Sequence, residues 1–136
     1  MQITINFWAV LIAAIVNIVV GSLWYGPLFG KMWKGLMGFT DESMKSMKLS
    51  AAHAMVGGLI TALVMAYVLN HFAVLTGVVG LDGAWQLAFW IWLGFMMTVS
   101  AGSFLWEGKP LKLFLLNAGQ QLVSIFLMAV VLVLWK

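Results

Sequence analysis

The stretch Leu111–Trp135 is apolar apart from Lys112 at its start and four residues further in: Asn117, Gln120, Gln121 and Ser124. On a helix Asn117, Gln121 and Ser124 share one face, with Gln120 beside them. Amides and hydroxyls donate and accept hydrogen bonds without carrying charge. Such a face has two uses inside a bilayer. It can pair helices, at ~0.6 kcal/mol per interhelical bond, or it can line a polar path for a solute. Asn17 and His53 are the other candidates among polar residues in long apolar runs. His53 adds an imidazole, a side chain that can serve proton sensing or ligand binding.

Several chemistries are missing. The chain has no cysteine, so disulfides, thiolate metal sites and cysteine nucleophiles are excluded. Asp41, Glu42, Asp82 and Glu107 all fall in loops or at segment ends, and there is no arginine. Proton-coupled carriers usually depend on a buried carboxylate, which argues against a small multidrug-type antiporter. Two distant histidines make a poor metal site. No catalytic residue, metal or cofactor is expected. The seven lysines form no stripe, so no nucleic-acid partner is expected either.

The elements that position these residues follow from hydropathy. The chain has 136 residues, 64% of them hydrophobic and 8% charged. A soluble surface could not be built from that composition. Four runs are long enough to cross a bilayer, which takes about 20 apolar residues each. They cover about 5–29, 51–73, 85–106 and 111–135. No basic residue precedes the first, so it reads as a permanent span rather than a cleavable signal. The expected fold is an all-α transmembrane four-helix bundle, with 1–136 as a single membrane domain.

Lysines set its expected orientation. Lys31, Lys34, Lys45 and Lys48 follow the first run, and Lys109 and Lys112 follow the third. The positive-inside rule puts both of these loops, 30–50 included, in the cytoplasm and both termini outside. Within the long loop, Thr40 before Asp41 and Glu42 reads as a helix start. Asp41 and Lys45 stand in the favourable order four apart, and Met44 and Met47 are expected at the membrane surface.

The halves of the chain echo each other. Gly21-Ser22-Leu23-Trp24, then Gly26-Pro27-Leu28, is matched by Gly102-Ser103-Phe104-Leu105-Trp106, then Gly108-Lys109-Pro110-Leu111. Leu59-Ile60-Thr61 is matched by Leu122-Val123-Ser124. A parallel 2+2 internal repeat is the expected origin. Small residues recur along helix faces: Ala9, Ala13, Asn17 and Gly21; Ala54, Gly58, Ala62, Ala66 and Asn70; Gly94, Thr98 and Gly102. In lipid such faces join helices by close packing. Gly21, Trp24, Tyr25, Gly26 and Pro27 form the exit of the first span. There the rings are expected to anchor at the interface and the proline to stop or bend the helix. Trp90 and Trp92 lie deeper and are expected to pack on other helices.

Asn17, Gly21, Trp24, Tyr25, Gly26, Leu28, Phe29, Gly30 and Trp33 resemble the corresponding stretch of the family called domain of unknown function 1761. Trp92-Leu93-Gly94-Phe95 and Trp135 extend the resemblance. It implies a small bacterial four-span protein of the plasma (inner) membrane, with no established activity and no catalytic residues to carry over.

Four thin helices enclose little space, so a homo-oligomer is expected, with membrane lipid around it. The leading functional expectation is a non-enzymatic channel- or transporter-like protein. Its polar path would draw on Asn17, His53, Asn117, Gln120, Gln121 and Ser124. The alternatives are an assembly subunit bound to another membrane protein, or a binder of lipid or another hydrophobic ligand.

Overall fold

A computed structural model of the chain describes residues 3–40, 42–43 and 51–135. Asp41, Met44, Lys45, Met47 and Lys48 lie outside the described residues. All regular structure among the described residues is helical. Four helices are long and apolar enough to cross a membrane: Phe7–Leu28, Ala52–Thr76, Gly80–Leu105 and Leu111–Leu134. They are the first to fourth spans below. The second is helical from Ala51. The third starts at Gly80, ahead of the expected Trp85, because Asp82 in its first turn suits the positive end of the helix dipole. A short fifth helix, Gly30–Met37, follows the first span. Thr40 starts a further turn: the Ser43 amide donates to Thr40 Oγ1 at 3.1 Å and the Thr40 amide donates to Ser43 Oγ at 2.8 Å. This is a reciprocal cap of the kind a helix start needs.

The fourth span is the centre of the bundle, packing most extensively on the first and third. The second span packs on the first and, less, on the fourth. The second and third spans, although consecutive, touch very little.

The contiguous core lies toward one end; Leu113, Leu116 and Ala118 of the fourth span are buried apart from it. Ala9, Ala13 and Ala14 meet Ala62, Ala66 and Ala73, Ala84 and Ala88, and Met128 and Ala129, all fully buried. Alanines let helix axes approach closely, and dispersion contact then holds the helices where lipid gives no hydrophobic drive. Polar ties close this end further. Asn6 caps the first span through its Oδ1, which accepts from the Ala9 amide at 3.2 Å, while its Nδ2 donates to the Trp135 carbonyl at 3.1 Å. Buried Asn70 donates to the Thr4 carbonyl at 3.3 Å.

Toward the other end, which carries Lys31, Lys34, Lys109 and Lys112, the helices separate. Every described side chain from Ala52 to Thr61 is exposed. The expected stripe on the second span therefore divides: Ala62, Ala66 and Asn70 pack, whereas Ala54 and Gly58 do not. On the third span Gly94 and Thr98 are exposed as well. Trp90, expected to pack, is 63% exposed.

Two π-helical segments interrupt the spans, at Trp24–Leu28 and Trp92–Met97. Each begins with a tryptophan whose indole N–H donates to a fourth-span carbonyl: Trp24 to Leu116 at 3.1 Å, Trp92 to Ala118 at 2.8 Å. The sequence match pairs Trp24 with Trp106, but their surroundings differ. Trp24 is half-buried and bonded, whereas Trp106 is 88% exposed. Trp92 is the residue whose setting matches that of Trp24.

Candidate functional site

The GSLWYGPLFG stretch builds the corner of the open end. Gly26 breaks the helical backbone with φ −110° and ψ −105°, and Pro27 follows inside the π segment. The chain then turns into Gly30–Met37. Gly30 is obligatory there, since a Cβ would stand 2.8 Å from the Tyr25 carbonyl oxygen. The turn sets Trp33 against Tyr25, ring centroids 5.5 Å apart, and against Phe39 at the same separation.

Trp24 and Tyr25 therefore do not serve as outward interface anchors. Both are half-buried and bonded into the fourth span. The Tyr25 hydroxyl donates to Asn117 Oδ1 at 2.6 Å. The Trp24 ring lies over Gly119, where a Cβ would sit 3.2 Å from the indole. A side chain there would push the ring off the helix.

The polar face of the fourth span meets partners from two sides. Ser124 is buried and donates to Asn17 Oδ1 on the first span. Gln121 pairs with Ser100 of the third span: its Nε2 donates to Ser100 Oγ at 3.1 Å, and that hydroxyl lies 3.2 Å from Gln121 Oε1. Ser103 donates to the Ser100 carbonyl at 2.9 Å. Among the described residues, Gln120 alone of the four has no side-chain hydrogen bond. Its amide nitrogen points toward Gly21, 3.8 Å from where a Cβ would be.

These side chains border two cavities. A chamber of about 310 Å³ lies among Tyr25, Trp33, Ser100, Ser103, Phe114, Asn117 and Gln121. A cleft of about 980 Å³ lies behind it. Its polar wall is Asn17, Ser22, Tyr25, Gln120, Gln121 and Ser124, and its apolar wall is mainly Met55, Val56, Leu59 and Met65 of the second span with Met96 of the third. Tyr25, Trp33 and Gln121 line both cavities and so form the partition between them. Small-molecule sites commonly fall between about 300 and 1,000 Å³.

Five of the six candidate path residues thus come together: Asn17, Asn117, Gln120, Gln121 and Ser124. His53 does not join them. It is exposed near the start of the second span and lines neither cavity. Of the corner motif, Gly21 and Tyr25 line the cleft. Trp24 packs on Gly119, and Gly26 and Pro27 are exposed hinge residues. Sequence reasoning missed Ser100, Ser103 and Trp33. The serines are small hydroxyls on an apolar helix, a signal available in principle. Trp33 was out of reach, because its place depends on the turn at Gly26. No group of acidic, histidine or cysteine side chains able to hold a metal occurs among the described residues.

A family model described as "Protein of unknown function (DUF1761)" matches residues 8–133. The chain belongs to this family. The match takes in all four spans, the corner and every cavity-lining residue named above. No curated protein and no solved structure matches the chain.

Proposed function

We propose that this DUF1761 protein is a non-enzymatic membrane protein that admits a small solute, channel- or transporter-like, from its lysine-bearing end. One observation carries the reading. The four spans are packed through alanines at one end and part at the other around open cavities whose lining includes amides and hydroxyls. Polar side chains are costly in a bilayer and sit where they face water, a partner or a ligand. Gln120 has no side-chain hydrogen bond among the described residues and borders the cleft, which favours solvent or solute contact. By the positive-inside rule the open end faces the cytoplasm and both termini lie outside, in a bacterial plasma membrane. The parallel 2+2 repeat is proposed on the sequence match of Gly21–Leu28 with Gly102–Leu111.

The absence of native cysteine allows a clean test. Single-cysteine variants Gln120→Cys and Ser103→Cys, in sided vesicles, should react with a membrane-impermeant maleimide added from the lysine side. Ala66→Cys, in the packed half, should react more slowly by about tenfold or more, since access governs thiol chemistry. If all three resist equally, the cavities are dry and the solute reading fails.

A second reading rests on a different observation. The small residues Ala54, Gly57 and Gly58 of the second span are exposed and have no partner helix among the described residues. Small residues drive helix association in lipid. A second copy of the chain, or another membrane protein, is the natural cover for that face. Crosslinking of Gly57→Cys chains in native membranes tests for the homo-oligomer, and a strictly monomeric product rejects it.

A further inference from the structure

We infer that the larger cleft takes a single-chain anionic amphiphile drawn sideways from the surrounding lipid leaflet. This rests on the solute-admitting reading above and names the class of solute. The cleft has two unlike walls. Amides and hydroxyls of the first and fourth spans form one, and a narrow methionine- and leucine-lined strip of the second span forms the other. A purely polar solute would leave Met55, Leu59 and Met65 facing it without gain. A purely apolar one would bury Gln120 unpaired, at a cost of about 1–3 kcal/mol. A molecule with one apolar chain and an oxygen-rich head satisfies both walls at once. The cleft's volume of about 980 Å³ suits one acyl chain with its head.

The route and the charge follow from the same end of the molecule. The second and third spans scarcely touch, yet Met55 and Met96, one from each, border the same cleft. The gap between them therefore opens toward lipid. Trp33 lines the cleft, and Lys31 stands on the same short corner helix. Lys109 and Lys112 stand at the same end, where the described acids are Glu42 and Glu107. The excess of lysine favours an anionic head, and amide N–H groups donate readily to phosphate oxygens.

The test uses the full chain in nanodiscs of zwitterionic lipid. The probe is monoacyl phosphatidylglycerol with a nitroxide on its chain, read by the immobilised fraction of its spectrum. Binding should saturate, and unlabelled monoacyl phosphatidylglycerol should displace the probe better than monoacyl phosphatidylcholine. Gly58 borders the cleft and has open space around its Cβ position, so Gly58→Leu fills the cleft without disturbing the packing. It should weaken binding by about tenfold or more, through steric exclusion. Val64 is exposed and lies outside the cleft lining, so Val64→Leu should bind as the native chain does.

Equal loss in both variants would overturn the inference. So would displacement by glycerol phosphate as effective as that by the monoacyl lipid: the cleft would then take the head alone, and the solute reading would stand. Absence of saturable binding together with reactive Gln120→Cys likewise removes only the amphiphile. Absence of both removes the solute reading with it.

Discussion

At the end that holds Asn6, Asn70 and Trp135, four helices meet through alanines. At the end that holds Lys31 and Lys109, the same four helices part around amides, hydroxyls and aromatic rings. The second span is the best place to compare them, because one stripe runs through both regions. Ala66 is fully buried, while Ala54, earlier in the same four-residue stripe, is exposed. The residue type is the same and the helix is continuous; between the two the stripe winds about 120° around the helix and the neighbouring spans move away from it. A small residue in a membrane helix is therefore an opportunity for contact rather than a guarantee of it. Whether it is used depends on how the helix axes diverge.

That comparison can be broken most directly by overfilling both regions in turn. Ala66→Phe should destabilise the chain by about 1–3 kcal/mol, because the packed end has no room for a ring. Ala54→Phe should change stability by less than about 0.5 kcal/mol, as exposed substitutions do. Unfolding in mixed micelles with increasing dodecyl sulfate measures both, and equal effects would mean that the two ends are packed alike. Gly119→Ala probes the boundary between the regions. The new methyl would meet the Trp24 ring at 3.2 Å, so a loss of about 1 kcal/mol is expected. Pairing the change with Trp24→Leu should recover most of that loss, and failure to recover it would place the strain elsewhere. The smallest effect is expected at Tyr25→Phe, which removes the hydrogen bond to Asn117 and should cost ~0.6 kcal/mol. The same variant also opens the partition between the chamber and the cleft, so thiol labelling at Ser103→Cys should speed up in its presence.

The candidate site was partly legible. Asn17, Asn117, Gln120, Gln121 and Ser124 stand out as polar residues in apolar runs, and the structure gathers them. His53 stands out for the same reason but falls on the splayed part of the second span, away from the others. The difference is invisible in hydropathy, which scores each residue with its chain neighbours only. Trp24 and Tyr25 show the same limit in reverse. Aromatic residues at a span end usually anchor at the interface, yet the turn at Gly26 and the gap opposite Gly119 turn these two inward. The π-helical turns at Trp24 and Trp92 had no sequence signal, because a π turn reflects a local adjustment of the backbone to its neighbours.

Composition and hydropathy were enough to determine four apolar helices, lysines gathered at one end, and no acidic group within reach of the bundle's middle. Each of these is a sum over neighbouring residues, so it can be read in one dimension. Tertiary structure alone decided which half of each small-residue stripe is used, which amides find partners, and that Gln120 is left facing a cleft. The physical reason is that lipid competes on nearly equal terms for every apolar face. Helix periodicity marks the faces that could meet, but the angles between the helices choose among them, and those angles come from the alanine contacts at the packed end.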